Sequence, residues 1–163
     1  MNQRTLTLMR HGKSSWDAHV NDIDRPLQER GILDAARVGA YVKDRIPMPQ
    51  QVYSSPANRA LHTCVIMMRT LHLPFEHLLL EDELYDFGGS KVESFIRSID
   101  DGIESVMIFG HNDAFTSISN IFGNEMIDNL PTAGLVHIRF EAESWRDLKR
   151  GETELTVFPK LLR

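Results

Sequence analysis

The sequence predicts a three-layer α/β/α sandwich, in which helices cover both faces of a mainly parallel β-sheet. Short β-prone runs alternate along the chain with longer stretches whose apolar residues recur at helical spacing. Parallel strands need crossover connections of about this length, which place helices against both faces of the sheet. The chain has 163 residues without an internal repeat or a long linker, and it therefore predicts a single domain over residues 1–163.

The first half of the chain predicts two strands, each followed by a helix. They are a strand at 4–9 (RTLTLM), an acidic loop at 17–25, a helix from residue 26 or 29 to 46, a strand at 51–53 and a helix to about 71. The first helix stops before Pro47, which cannot continue it. Ser55 is the expected N-cap of the second helix, with Pro56 at the favoured first helical position.

The second half predicts two more helices and an antiparallel edge of the sheet. Its elements are a strand at 75–80, a helix at 91–99, a strand at 105–109, a helix capped by Asp113, and strands at 135–140 and 155–158. The helix after Asp113 is expected to bury its apolar side chains, namely Phe115, Ile118, Ile121 and Phe122. The alternation of side chains along 135–140 predicts that His137 lies on the polar side of its strand. Residues 155–158 can pair with this strand in antiparallel orientation.

Composition and charge narrow the classes of partner. Eighteen Lys and Arg against 23 Asp and Glu give a formal net charge of −5, which argues against binding to nucleic acid or to acidic lipid. The only cysteine, Cys64, cannot form an internal disulfide, and it lies on the apolar stripe of its helix. With no export signal or membrane-spanning run visible, we expect a cytoplasmic protein without membrane association.

Three polar segments follow strands of the predicted sheet, where such sheets bind their ligands. Arg10-His11-Gly12 follows the first strand, residues 54–59 (SSPANR) follow the second, and Gly110-His111 follows the strand at 105–109. Two arginines and two histidines would therefore converge at one edge of the sheet. Guanidinium groups match phosphoryl oxygens, and a net-acidic protein that gathers two of them is expected to bind an oxyanion there.

The local charges at this edge point to a nucleophile. Arg59 lies in the first turn of a helix, where an anion would offset the cost of a cation near the positive end of the helix dipole. The neighbouring cations disfavour protonation of His11, and a neutral imidazole is a nucleophile. The other histidines, which lack such partners, are expected to serve packing or the surface; they are His19, His62, His72, His77 and His137.

These ordered segments resemble the histidine phosphatase superfamily. More narrowly, residues 10–16 (RHGKSSW), followed by residues 24–27 (DRPL) and Gly31, look like the short bacterial branch named for the SixA phosphohistidine phosphatase. The likeness spans residues 6–138, and the ordered set of segments is far more specific than an RHG tripeptide alone.

The resemblance implies a phosphoglycerate mutase-like fold and a covalent mechanism. His11 would attack phosphorus and become phosphorylated, and water would then release phosphate. Arg10, Arg59 and His111 match the groups that hold the phosphoryl oxygens, and neither a metal nor another cofactor is required. Glu83 is the candidate acid for the leaving group, with Asp86 as the weaker alternative.

The resemblance also suggests which groups surround the substrate. Gly12, Lys13, Ser14 and Arg25 are the candidates, although Arg25 has the alternative of pairing with a nearby carboxylate to fix its loop. The interval from Arg59 to His111 leaves no room for a large capping insertion, so we expect an open mouth that admits a phosphorylated protein. The alternatives are a phosphatase for small phosphomonoesters and a non-catalytic module that binds phosphoproteins.

Overall fold

The structure is a computed structural model that describes residues 2–163, and in it six strands form one sheet. The strands are β1 (Gln3–Arg10), β2 (Gln51–Ser54), β3 (Leu78–Leu80), β4 (Ser105–Gly110), β5 (Leu135–Glu141) and β6 (Glu152–Val157). The helices are α1 (Glu29–Val42), α2 (Asn58–Thr70), α3 (Ser90–Ser98) and α4 (Ala114–Phe122). None of the helices formed by these residues is both long and apolar enough to cross a bilayer.

The sheet has the order β3-β2-β4-β1-β5-β6, in which β3, β2, β4 and β1 are parallel and β5 is antiparallel to both of its neighbours, β1 and β6. This arrangement confirms the mainly parallel sheet with an antiparallel edge. The register pairs Arg10 with Gly110, and it pairs Ser54 with Phe109. Because β1, β2 and β4 end level with one another, the segments that follow them start at the same edge of the sheet.

Helices cover both faces of the sheet, which confirms the three layers. On one face, α1 and α2 bury Val38, Cys64 and Met67 against strand residues such as Met107. On the other face, α3 and α4 pack against alternate strand residues, Leu6, Leu8 and Ile108 among them. Strands buried on both faces read as nearly continuous apolar runs, and the β4 sequence SVMIFG is such a run.

The start of α2 differs from the prediction. The helix begins at Asn58 with Ala57 at the N-cap, so Pro56 is not its first residue and Ser55 lies outside it. The Ser55 hydroxyl accepts the N–H of Ala57 at 3.2 Å and contacts Nε2 of His111 at 2.8 Å. The hydroxyl thus belongs to the loop and to a neighbouring strand end, a contact that local capping rules do not anticipate.

Two burial predictions were wrong. Ile121 is exposed although it lies among the apolar residues of α4, whereas Phe115, Ile118 and Phe122 are buried as predicted. His137 is buried, and its Nδ1 lies 2.7 Å from Oγ1 of Thr7 on the neighbouring strand. Its side of β5 is covered, because the sheet has a layer on each face.

Candidate active site

The ends of β1, β2 and β4 surround a cavity of about 240 Å³. Its lining consists of Arg10, His11, Lys13, Ser14, Trp16, Asp22, Arg25, Arg59, Phe87, Asn112 and Thr132. The ring of His111 lies behind that of His11, with 5.3 Å between the two ring centroids. The two arginines and two histidines predicted from the strand ends are therefore brought together.

His11 is held at the end of β1 by backbone and side-chain hydrogen bonds. Its N–H donates to the carbonyl of Gly110 at 3.0 Å, and its carbonyl accepts the N–H of Ala133 at 2.9 Å. Nδ1 of the ring lies 2.7 Å from the carbonyl oxygen of Gly12. Because a carbonyl oxygen can only accept, Nδ1 carries the proton of the neutral ring and the lone pair is on Nε2.

The surroundings keep the His11 ring neutral. Burial lowers the pKa of His11 to about 4, with further lowering by the charges of Arg59, Arg10 and Arg25, while the hydrogen bond to Gly12 opposes the shift. The direction agrees with the sequence prediction, but desolvation is a larger cause than the neighbouring cations. At neutral pH the imidazole therefore has a free lone pair, as a nucleophile requires.

His111 is buried at the end of β4. Its Nε2 faces the Ser55 hydroxyl, and Nδ1 is a buried nitrogen without a hydrogen-bond partner in the described part of the chain. The Ser55 oxygen already accepts the N–H of Ala57, so its own O–H is available to donate to Nε2, and in that tautomer Nδ1 carries the proton. Burial, followed by the proximity of His11 and Arg59, lowers the pKa of His111 to about 3.

The two arginines are oriented by hydrogen bonds to loops. Arg10 donates through Nη1 to the carbonyl of Leu130 at 2.8 Å. Arg59 donates to the carbonyl of Asp22 at 2.6 Å and to its Oδ2 at 3.0 Å. In each arginine Nε is buried and has no hydrogen-bond partner within the residues that the structure describes. Desolvation lowers the pKa of Arg10, Asp113 opposes that shift, and Arg59 adds to it.

Asp22 connects groups on opposite sides of the cavity. Its Oδ2 accepts hydrogen bonds from Arg59 and Tyr85, and its Oδ1 pairs with Arg25 at 3.2 Å. Burial alone would raise the pKa of this carboxyl, but the hydrogen bonds from Tyr85, Arg59 and Arg25 outweigh burial and lower it to about 2. From the sequence, a nearby carboxylate was expected only as a partner for Arg25, since the contact between Asp22 and Arg59 depends on how the loop folds.

The structure divides the predicted substrate-binding residues. Lys13, Ser14 and Arg25 line the cavity, and Arg25 donates to the Ser14 hydroxyl at 2.6 Å. Gly12 does not line it, and its N–H donates to Oγ1 of Thr63 at 3.0 Å. A Cβ at Gly12 would lie 2.7 Å from the carbonyl oxygen of Gly31, so the residue serves close backbone packing.

The prediction of an acid at Glu83 does not fit the structure. Glu83 is exposed in the short turn Asp82–Leu84, whose buried residue is Leu84, and it lines a separate cavity. Asp86, the weaker alternative, accepts the N–H groups of the first turn of α3, including those of Gly89 and Val92. Asp22 is the carboxylate among the described residues that line the His11 cavity, and it is held ionised.

The groups in the cavity are suited to an anion. The guanidinium groups and Lys13 are donors, as is the Nδ1–H of His111 beside the cavity, and they match the acceptor oxygens of a phosphoryl group. Among residues 2–163, no three His, Cys, Asp or Glu side chains are grouped in a way that could hold a metal ion. Fold and site thus define a protein with a neutral histidine set among donor groups that suit an oxyanion.

Comparison with known sequences identifies the family. The sequence model of the histidine phosphatase superfamily (branch 1) matches residues 6–88. The chain belongs to this superfamily. An uncharacterized protein of Mycobacterium tuberculosis (strain ATCC 25618 / H37Rv) is 25% identical over 160 residues, covering 92% of this chain and 98% of the relative. An uncharacterized chloroplastic protein of Arabidopsis thaliana is 28% identical over 153 residues, covering 88% of this chain and 70% of the relative.

Comparison with solved structures confirms the fold. A protein of Agrobacterium tumefaciens assigned to the phosphohistidine phosphatases as SixA has a TM-score of 0.80 at 23% identity, covering 98% of this chain and 100% of that chain. The protein histidine phosphatase SixA complexed with tungstate has a TM-score of 0.78 at 22% identity, covering 98% of this chain and 99% of that chain. The chain therefore has the phosphoglycerate mutase-like fold of the histidine phosphatases.

Proposed function

We propose that this protein is a cytoplasmic, metal-independent phosphatase that removes phosphoryl groups from phosphohistidine in proteins through a covalent intermediate on His11. The observation that carries the proposal is the state of His11, whose Nδ1–H donates to the Gly12 carbonyl and whose Nε2 lone pair is free beside three arginines. SixA, which shares the fold, is a protein histidine phosphatase with a structure bound to tungstate, a tetrahedral oxyanion. The cytoplasmic location rests on the single, buried Cys64.

Unpaired donors around His11 support the binding of a phosphoryl group. Nε of Arg10, Nε of Arg59 and Nδ1 of His111 are buried without hydrogen-bond partners among residues 2–163. A buried donor without an acceptor is costly, and three such donors beside one cavity are typical of a site that a ligand completes. Arg10, Arg59 and His111 would hold the phosphoryl oxygens and stabilise the charge that develops in the transition state.

The reaction proceeds in two displacements. Nε2 of His11 bonds to phosphorus while the P–N bond of the substrate breaks, and the electron pair of that bond stays on the departing ring. The ring leaves as neutral imidazole because its other nitrogen carries a proton in the bound substrate. Water then attacks the phosphorus of phosphorylated His11, which releases inorganic phosphate and restores the neutral ring. Arg10, Arg59 and His111 keep their contacts with the phosphoryl oxygens through both steps.

The state of Asp22 favours a labile P–N bond over an ester. The alkoxide of an alkyl phosphate needs a proton from a carboxylic acid, whereas an imidazole leaving group makes a much smaller demand. Asp22 is ionised far below neutral pH by its bonds to Tyr85 and Arg59, and Glu83 lies at another cavity. This arrangement disfavours the small phosphomonoester as the main substrate.

The experiment that tests the proposal is a trap for the phosphorylated enzyme. Incubation with a protein phosphorylated on histidine, followed by rapid quenching, should yield an acid-labile, alkali-stable phosphoenzyme and release inorganic phosphate. His11→Ala should abolish both signals, and His62→Ala, which changes a histidine outside the cavity, should leave both unchanged. Chelators should not reduce turnover, and vanadate should inhibit it.

Three results would contradict the proposal. Full turnover by His11→Ala would show that His11 is not the nucleophile. Binding of the phosphoprotein without any release of phosphate would favour the non-catalytic binding module, and faster release from a small alkyl phosphate than from phosphohistidine would favour the ester phosphatase.

A further inference from the structure

Two large apolar rings lie exposed at the His11 cavity. Trp16 exposes 77% of its surface and Phe87 exposes 47%, and both line the cavity. Among the exposed large apolar side chains of residues 2–163, only Trp16 and Phe87 line this cavity. Exposed aromatic surface that borders a reactive group is a common sign of a binding site. We call this pair the aromatic rim.

The Trp16 ring has one face fixed by a buried arginine. Cζ of Arg25 lies 3.3 Å from the centroid of the ring. Arg25 is itself held in place, since it donates to the Ser15 carbonyl at 3.0 Å, to the Ser14 hydroxyl at 2.6 Å and to Asp22 Oδ1 at 3.2 Å. The guanidinium thus orients the indole by cation–π contact and leaves most of its surface to the solvent.

The Phe87 ring packs against the groups of the phosphoryl site. Its centroid is 5.0 Å from that of His111 and 5.4 Å from that of Tyr85. Tyr85 donates to the same Asp22 carboxylate whose other oxygen pairs with Arg25. One carboxylate therefore links the supports of both rings, so that the rim is connected to Arg59 and to the histidines.

The size of the cavity limits what the rim can contact. A cavity of about 240 Å³ is smaller than the roughly 300–1,000 Å³ of ordinary small-molecule pockets, and it suits a phosphoryl group with a single side-chain head. When the phosphoryl group lies at His11 and Arg59, the leaving group must point to the open side, where the rim is. A flat ring can stack there on an aromatic face, whereas an ammonia or alkyl group cannot.

We propose that the aromatic rim, Trp16 and Phe87, selects the substrate by stacking on the imidazole ring of its phosphorylated histidine. The inference rests on the proposed function, and it assigns the specificity for the leaving group to these two side chains. Stacking would orient the departing imidazole in line with Nε2 of His11, on the far side of the phosphorus. The rim takes no part in the chemistry, so a P–N substrate without a ring should not depend on it.

The test compares two substrates that share the P–N bond and differ in the ring. Free phosphohistidine carries the imidazole, and phosphoramidate releases ammonia. An aromatic contact stabilises a complex by an amount equivalent to about two- to tenfold in affinity. Trp16→Ala and Phe87→Ala should each lower kcat/KM for phosphohistidine by about tenfold and change it for phosphoramidate by less than about twofold.

Matched variants separate stacking from structure. Trp16→Phe keeps a ring and should retain most of the phosphohistidine activity, while Phe87→Leu keeps apolar bulk without a π face and should behave like Phe87→Ala. Phe75→Ala, which removes an exposed ring outside the cavity, should change neither rate. Equal losses on both substrates, or no loss on either, would overturn the role of the rim. A wild-type enzyme that hydrolyses neither substrate would instead overturn the proposed function.

Discussion

Arg59 has an unfavourable electrostatic position that a second residue of the fold offsets. The guanidinium lies in the first turn of α2, at the positive end of the helix dipole, where a cation is unfavourable. The sequence predicted that an anion would offset this cost. The carboxylate of Asp22 does so by accepting a hydrogen bond from Arg59 at 3.0 Å, while Nε of the same arginine stays without a protein partner.

The low pKa of His11 predicts a pH dependence of stability. The unfolded chain binds a proton at this ring below about pH 6.5, whereas the native ring binds it only near pH 4. Within this window the unfolded state holds more protons, so the free energy of unfolding decreases as the pH falls from about 6.5 toward 4. Above pH 6.5 the contribution of His11 is fully present and constant.

A variant without the titrating ring isolates this contribution. His11→Asn keeps a polar side chain near the Gly12 carbonyl and cannot be protonated. Urea unfolding at pH 7.5 and pH 5 should show the wild type losing about 2 kcal/mol more stability than His11→Asn, and the direction of that difference is the prediction. Equal losses in the two proteins would mean that His11 is protonated in the native state.

At the scale of elements, α1 approaches the loop after β1 so closely that two glycines are required. A Cβ built on Gly31, in the first turn of α1, would lie 2.3 Å from the carbonyl oxygen of Lys13. Gln28, the N-cap residue of α1, donates its N–H to the carbonyl of Lys13 in this loop at 2.8 Å, so helix and loop are joined backbone to backbone. This contact gives a physical reason for the glycine at position 31, after the RHGKSSW and DRPL segments.

Gly31→Ala should therefore destabilise the protein although alanine favours helices. Helix propensity alone predicts a gain of about 1 kcal/mol for this change. The clash is with backbone, which cannot rotate away, and overpacking of this kind costs about 1–3 kcal/mol. Chemical denaturation should show a lower free energy of unfolding for Gly31→Ala.

The control is Gly102→Ala, where the new Cβ meets only the end of the Asp100 side chain. Unchanged or increased stability of Gly31→Ala would contradict the tight packing.

The predicted elements succeeded where local pattern and burial agree. The apolar run SVMIFG became β4, and the residues that follow β1, β2 and β4 converged because parallel strands end level. Prediction failed where a long-range contact decided the outcome. Ser55 caps no helix because it faces His111, and His137 is buried because a layer covers its side of the sheet. Single-sequence patterns do not contain these contacts.

At the scale of the whole molecule, the sequence located the cavity but not all of its groups. The topology of the sheet places four of these groups: Arg10 ends β1, His11 and His111 directly follow β1 and β4, and Arg59 lies in the first turn of the helix after β2. Asp22 and Glu83 lie in loops, whose path depends on tertiary contacts. Asp22 is drawn to Arg59, 37 positions along the chain, whereas Glu83 turns to solvent because Leu84 takes the buried position.

The last prediction concerns the stability of the entire fold when an oxyanion binds. The anion would contact segments after three strands at once, and this arrangement exists only in the native state. A ligand that binds only the native state at about 100 times its Kd adds about 2.7 kcal/mol to the free energy of unfolding. For a chain of this size, we expect orthovanadate to raise Tm by roughly 5–10 °C. Scanning calorimetry with and without orthovanadate measures this shift.

Arg59→Ala should abolish the shift in Tm, because one of the buried guanidiniums is lost. Arg45→Ala, which removes an arginine stacked on Tyr41 outside the cavity, should keep it. An equal shift in all three proteins would place the anion elsewhere, and the binding function assigned to Arg59 would then be wrong.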